Sequence, residues 1–161
     1  MRTSILLIFV AALATVRAAE TATERRYNGN GYAVAGVGTC MHRVGNVNVG
    51  GGGDAFLYRG LTLGGEIGYY RFIDSNPGFG VTALNVGYHF INRDRPGRVE
   101  PFVSAGVLGV AFGNGAVGAS SVGGGINFWF HRRMALRLEG RAYGFGEHEG
   151  LVLFRIGMSF R

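Results

Sequence analysis

The sequence contains no lysine, one cysteine and three prolines in 161 residues, and only 16% of its residues are charged. Because Cys40 is alone, an internal disulfide is excluded, and no Cys/His spacing typical of a metal site is present. The 47% hydrophobic content excludes a disordered chain, which combines low hydrophobicity with high net charge. After Ala14 no apolar run approaches the roughly 20 residues that a membrane-spanning helix requires.

Glycine and arginine are the residues that stand out. The 30 glycines far exceed the usual share of about 7%. They follow no Gly-X-Y period, which excludes collagen, and the fold must therefore require small residues at many positions. The 16 basic residues are all arginine, and with 10 acidic residues they give a net charge of +6. A basic chain can indicate nucleic-acid binding, but we interpret these arginines as turn and interior residues and expect no nucleic-acid partner.

The beginning of the chain has the three-part pattern of a secretory signal peptide. Arg2 supplies the positive charge, residues 5–14 form a ten-residue apolar run, and Val16-Arg17-Ala18 offers a cleavage site. We predict a signal peptide over residues 1–18, with cleavage after Ala18 or, alternatively, after Ala19. The mature chain is therefore expected outside the cytoplasm.

The rest of the chain divides into eight segments separated by turn residues, such as those at 74–78 and 93–97. We predict strands at about 31–41, 45–58, 60–72, 79–91, 99–112, 116–130, 133–145 and 150–161. Soluble strands usually have about 5–6 residues, whereas a tilted membrane-crossing strand needs about 9–11. The lengths therefore favour a membrane barrel.

Apolar and polar residues alternate along these segments. In the last one Phe154 and Ile156 share a face, while Arg155 and Ser159 share the other. Period 2 is the pattern of a strand. A soluble barrel turns its apolar face inward, and a membrane barrel turns it outward.

The polar face decides between these two architectures. It is rich in glycine and carries mid-strand charges, and an eight-stranded barrel has a lumen only wide enough for side chains. Small residues beside a few paired charges would fill that lumen, whereas unpaired charges there would be costly. We therefore predict an eight-stranded antiparallel transmembrane β-barrel, an up-and-down meander, with six charges in its lumen: Asp54, Glu66, Arg137, Glu139, Arg141 and Arg155.

Aromatic residues concentrate near the predicted strand ends. We expect two girdles at the lipid–water boundaries. One contains Tyr58, Tyr88, Phe90, Phe128, Trp129, Phe130 and Phe160, and the other contains Tyr69, Tyr70, Phe72, Phe112, Tyr143 and Phe145.

Three segments resemble a known family: 123–130 (GGGINFWF), 137–141 (RLEGR) and the closing 154–160 (FRIGMSF), after which Arg161 follows. The chain resembles the small outer-membrane β-barrel superfamily that includes the OmpA membrane domain and OmpX. The resemblance implies an outer-membrane barrel over residues 31–161, with both termini in the periplasm and a short periplasmic segment at 19–30. It also implies assembly by the barrel-assembly machinery and outer-membrane lipids as partners, and we expect a monomer.

With this orientation, the turns after the second, fourth and sixth strands are periplasmic. They carry an arginine collar, which we define as Arg59, Arg93, Arg95, Arg98, Arg132 and Arg133. We expect the collar to meet anionic phospholipid headgroups of the inner leaflet.

Residues that could carry catalysis are few. His42 and His148 could lie at the outer rim, with Glu147 and Glu149 beside His148, but no serine or threonine adjoins them. Ser120 and Ser121 could approach only through the fold. The glycine run 50–53 lacks the following Lys-Ser/Thr of a phosphate loop, and we interpret it as strand. No catalytic residue, metal or cofactor is predicted.

Three functions remain open, and we expect the first. It is a structural, non-enzymatic envelope barrel whose lumen is closed by paired charges. The second is a narrow porin-like channel for ions or small solutes, and the third is a lipid A-modifying enzyme. A soluble lipocalin-like binder is disfavoured because its apolar face would line the cavity.

Overall fold

The computed structural model describes residues 28–40, 43–73, 78–91, 98–112, 115–145 and 150–161. The predicted signal peptide (1–18) lies outside these residues, as does most of the segment 19–30. Among the described residues, none forms a helix long and apolar enough to span a membrane.

Eight antiparallel strands close into one barrel in the order β1 to β8, and β8 pairs back with β1. Their bounds are β1 Gly29–Cys40, β2 Arg43–Tyr58, β3 Leu61–Phe72, β4 Phe79–His89, β5 Val99–Phe112, β6 Gly115–His131, β7 Met134–Gly144 and β8 Gly150–Phe160. The predicted fold class is confirmed, and every predicted strand boundary lies within two residues of the observed one.

The two ends of the barrel differ, and we name them by their connections. The terminal end carries the β2–β3, β4–β5 and β6–β7 turns together with the start of β1 and the end of β8. The loop end carries the other four connections. At the terminal end Arg59 and Gly60 form a two-residue turn with φ values of 43° and 93°. Positive φ at both positions matches the twist of a hairpin and favours glycine.

The alternation in sequence becomes inside–outside alternation in the barrel. In β4, every second side chain from Phe79 to His89 is buried and the intervening ones are exposed. Leu84 is 66% exposed, whereas its neighbour Asn85 is 3% exposed. The apolar face therefore points outward, as the sequence predicts.

The predicted aromatic girdles are only partly correct. At the terminal end the girdle aromatics other than Trp129 are exposed on the outer wall. Trp129 faces inward, because it lies between the outward-facing Phe128 and Phe130. At the loop end Tyr69 is exposed, but Tyr70 and Tyr143 are buried in the lumen. Adjacent strand residues cannot share a face, and position near a strand end alone does not decide which way an aromatic points.

Candidate functional site in the lumen

The structure places all six predicted luminal charges inside the barrel. We call them the charge network: Asp54 on β2, Glu66 on β3, Arg137, Glu139 and Arg141 on β7, and Arg155 on β8. Five of the side chains are buried almost completely, and that of Asp54 is 11% exposed. The three β7 residues share a face because they alternate along one strand.

Arg155 joins two carboxylates from different walls. Its Nη1 donates to Glu66 Oε1 at 2.5 Å, and its Nη2 donates to Glu66 Oε2 at 3.0 Å and to Glu139 Oε1 at 2.7 Å. Arg141 bridges the same two carboxylates, with Nη1 donating to Glu66 Oε2 at 3.1 Å and Nε to Glu139 Oε1 at 2.7 Å. Charge-assisted, forked hydrogen bonds of this kind are the strong ones in proteins. Glu66 and Glu139 therefore hold β3, β7 and β8 together across the lumen.

Arg137 connects the charge network to aromatic rings. Its Nε donates to Glu139 Oε2 at 2.9 Å. Its guanidinium carbon lies 4.2 Å from the ring centre of Tyr32 and 4.0 Å from that of Phe102. Tyr32 is on β1 and Phe102 on β5, so this stack crosses the barrel interior. Tyr32 Oη also donates to Glu66 Oε2 at 2.9 Å.

Glycines in the wall make room for these long side chains. A Cβ on Gly36 of β1 would lie 2.9 Å from Cγ of Arg155, and a Cβ on Gly52 of β2 would lie 2.7 Å from Oη of Tyr32. Both distances are shorter than real Cβ contacts. Each Cβ would also meet a backbone carbonyl oxygen of the neighbouring strand, that of Phe154 or that of Gly65, so close strand pairing contributes too. Part of the high glycine content thus follows from the size of the luminal side chains.

Asp54 belongs to the network only loosely. Its Oδ2 lies 4.0 Å from Nη1 of Arg137 and 3.7 Å from Nε2 of His89. Asp54 therefore links the charge network to a second polar group at the terminal end.

That second group, the Glu100 cluster, consists of His89, Glu100, Trp129 and Arg161 and was not predicted as a site. His89 Nδ1 lies 2.7 Å from Glu100 Oε1, and Trp129 Nε1 donates to Glu100 Oε2 at 3.1 Å. Arg161 pairs with the same carboxylate, and its guanidinium carbon lies 3.5 Å from the ring centre of Trp129. Period-2 alternation places His89 inside, but the pairing across the barrel has no local signal.

The loop-end half of the lumen is filled by apolar side chains. The apolar cluster consists of Tyr70, Phe79, Val81, Ala83, Leu108, Val110, Tyr143, Leu151 and Leu153. Tyr70 and Tyr143 come from β3 and β7, and their hydroxyl oxygens lie 2.8 Å apart. Two buried hydroxyls thereby satisfy each other in apolar surroundings.

The interior charges of the described residues balance. Four arginines (Arg137, Arg141, Arg155 and Arg161) accompany four carboxylates (Asp54, Glu66, Glu100 and Glu139). His89 lies beside two of these carboxylates, with Nδ1 2.7 Å from Glu100 Oε1 and Nε2 3.7 Å from Asp54 Oδ2. The described arginines and carboxylates of the lumen therefore match in number.

Four collar arginines, Arg59, Arg98, Arg132 and Arg133, lie exposed at the terminal end. Arg93 and Arg95 lie outside the described residues. The four lie on one rim because they occupy or adjoin the β2–β3, β4–β5 and β6–β7 turns. These turns are all at the terminal end of the barrel.

The structure assembles no catalytic group from the candidates that it describes. His42, Glu147, His148 and Glu149 lie outside the described residues. Ser120 is exposed on the outer wall and Ser121 is buried inside. The glycine run 50–53 lies within β2, as interpreted from the sequence. Among the described residues no group of three His, Cys, Asp or Glu is placed to hold a metal ion.

The chain matches no protein-family model, and no curated protein matches it in sequence. Solved structures do resemble it. Neisserial surface protein A (NspA) is 12% identical, with 83% of this chain and 97% of that chain covered and a TM-score of 0.64. The N-terminal β-barrel domain of Pseudomonas aeruginosa OprF is 17% identical, with 81% and 96% covered and a TM-score of 0.60.

A de novo designed transmembrane β-barrel is 19% identical, with 86% of this chain and 98% of that chain covered and a TM-score of 0.60. Since a designed barrel shares the architecture, the likeness concerns the fold and carries no activity with it. The chain therefore has the fold of the small eight-stranded outer-membrane β-barrels.

Proposed function

We propose that this chain is an outer-membrane barrel with a closed lumen, which serves the structure of the cell envelope without catalytic turnover. The apolar outer wall supports the membrane location. Ile67, Leu84 and Phe154 are 69%, 66% and 70% exposed, and similar side chains surround them. Soluble monomers rarely expose contiguous apolar patches above a few hundred Å². A closed barrel also leaves no strand edge unpaired in lipid.

The observation that carries the closed lumen is its filling by side chains at three successive levels. The Glu100 cluster lies at the terminal end, the charge network lies next to it, and the apolar cluster fills the loop end. A hydrated ion would have to break buried ion pairs and then cross a region lined mainly by apolar side chains, which solvate it poorly.

A cavity of about 830 Å³ beside β2 to β5 does not contradict this filling. Seven of the eleven residues that line it alternate outward: Gly51, Gly65, Ile67, Thr82, Leu84, Val107 and Gly109. Its lining is therefore mostly the lipid-facing wall, where glycines leave the backbone uncovered between larger side chains. The other four residues, Gly52, Glu66, Ala83 and Leu108, alternate inward.

The test is electrical recording on planar bilayers that contain the purified, folded protein. We expect no conductance steps from the wild type. The paired variant Tyr70→Ala/Tyr143→Ala removes side chains from the apolar cluster, and Leu84→Ala removes a similar apolar group from the outer wall as the control. Conductance in the wild type would overturn the closed-lumen proposal.

For the envelope role, we expect loss of the gene to raise detergent sensitivity in the host, and complementation by Leu84→Ala to restore resistance.

One observation favours the second candidate, a narrow channel. Asn46 and Asn48 face inward on β2 in the loop-end half, and within the described residues their buried side-chain amides have no hydrogen-bond partner. They form a polar seam beside the apolar cluster. If the wild type conducts, Asn46→Leu/Asn48→Leu should reduce that conductance.

A further inference from the structure

The charges on the outer wall of the described barrel all have one sign. The exposed charged side chains are Arg59, Arg71, Arg98, Arg132 and Arg133, whereas the four described carboxylates lie inside. Within the described part of the chain, none of the four collar arginines forms an ion pair. The terminal rim is therefore a positive surface without described acidic neighbours.

An aromatic belt lies directly beside this rim. It consists of Tyr58, Tyr88, Phe90, Phe128, Phe130 and Phe160, all exposed on the outer wall near the terminal end. The guanidinium carbon of Arg59 lies 5.0 Å from the ring centre of Tyr58, so a cation stacks on a belt residue. Aromatic belts mark the boundary between hydrocarbon and headgroups. The four described collar arginines, one step further from the barrel centre, then lie at headgroup level.

We propose that the four described collar arginines form a binding surface for anionic phospholipid headgroups. Guanidinium groups present forked donors that match phosphate oxygens. Because the rim carries several arginines and no described carboxylate, it attracts anionic headgroups over zwitterionic ones. The inference rests on the proposed membrane location. It adds that anionic phospholipids bind and that they bind at the terminal end of the barrel.

Spin-labelled lipids measure this preference directly. The protein is reconstituted in phosphatidylcholine bilayers with trace spin-labelled phosphatidylglycerol or phosphatidylcholine, and the motionally restricted fraction is read by electron paramagnetic resonance. At low salt we expect phosphatidylglycerol to associate at least about threefold more strongly. In about 1 M NaCl, where charges are screened beyond about 3 Å, the preference should disappear.

Matched variants locate the surface. Replacing Arg59, Arg98, Arg132 and Arg133 with Gln should lower the preference, whereas Arg71→Gln, at the loop end, should leave it unchanged. Equal association of both lipids with the wild type overturns the proposal, as does a preference that the fourfold variant retains undiminished. Heat-modifiable gel migration separates this failure from a failure of the proposed function, because a chain that never folds into any bilayer contradicts the membrane location itself.

Discussion

Arg155 and Glu66 form a forked ion pair across the lumen, with donor–acceptor distances of 2.5 and 3.0 Å. They are 89 residues apart in sequence and lie on β8 and β3, which are not neighbours in the barrel. The pair therefore ties together walls that backbone hydrogen bonds do not connect. Because both side chains are buried, each charge depends on the other for its solvation.

Removing the Glu66 carboxylate should destabilise the barrel strongly. Glu66→Ala leaves Arg155 and Arg141 with one shared carboxylate, and breaking a buried pair from one side costs about 3–5 kcal/mol. The free energy of unfolding is measured by urea titration of the heat-modifiable band. Asp54→Ala is the control and should cost much less, because Asp54 lies 4.0 Å from its arginine. Equal losses in the two variants would show that the network does not depend on Glu66.

The hydroxyl pair of Tyr70 and Tyr143 should show coupling. Tyr70→Phe or Tyr143→Phe alone leaves one buried hydroxyl without its partner, which costs about 1–3 kcal/mol. Together the changes remove both hydroxyls and leave an apolar contact, so the paired variant should lose less stability than the two single losses added. A double-mutant cycle on the free energy of unfolding measures this. Strict additivity would contradict the 2.8 Å contact.

Replacing two glycines in neighbouring strands with alanine should change the free energy of unfolding differently. At Gly157 of β8 a Cβ would meet the Ala33 carbonyl oxygen and lie 2.8 Å from Cα of Val34. Backbone atoms cannot move aside cheaply, so we expect Gly157→Ala to cost about 1–3 kcal/mol of unfolding free energy. At Gly140 of β7 a Cβ meets nothing within 4 Å, and Gly140→Ala should be neutral or slightly stabilising. A similar effect at both positions would mean that close backbone approach is not the cause.

The face that a side chain takes follows from local sequence, whereas its partner across the barrel does not. Alternation along one strand is local, and it was enough to place Glu66, Arg137 and Arg155 in the lumen. Which side chains pair across the lumen depends on barrel closure and on strand register, and no short sequence motif predicts either. For this reason the Glu100 cluster was missed, although its residues are individually ordinary. Trp129 was assigned to the girdle from its position near a strand end. Its neighbours Phe128 and Phe130 point outward, so Trp129 must point inward.

We predict that Arg161 closes the terminal end of the lumen, so that its removal exposes the residues behind it. Its side chain pairs with Glu100 and stacks on Trp129, while its backbone N–H donates to the Arg133 carbonyl oxygen at 3.1 Å. Ser159, which is fully buried on β8 two residues before Arg161, serves as the probe when it is replaced by Cys in a Cys40→Ser background. The cation–π contact and the ion pair together contribute about 1–2 kcal/mol. Losing them should therefore raise the population of the open state roughly tenfold. We therefore expect Arg161→Ala to raise the rate of labelling by a small charged thiol reagent by roughly that factor. Arg133→Ala is the control, because it keeps the backbone acceptor and removes only an exposed side chain. If the wild-type Arg161 background and the Arg161→Ala variant are labelled at the same rate, Arg161 does not close the lumen.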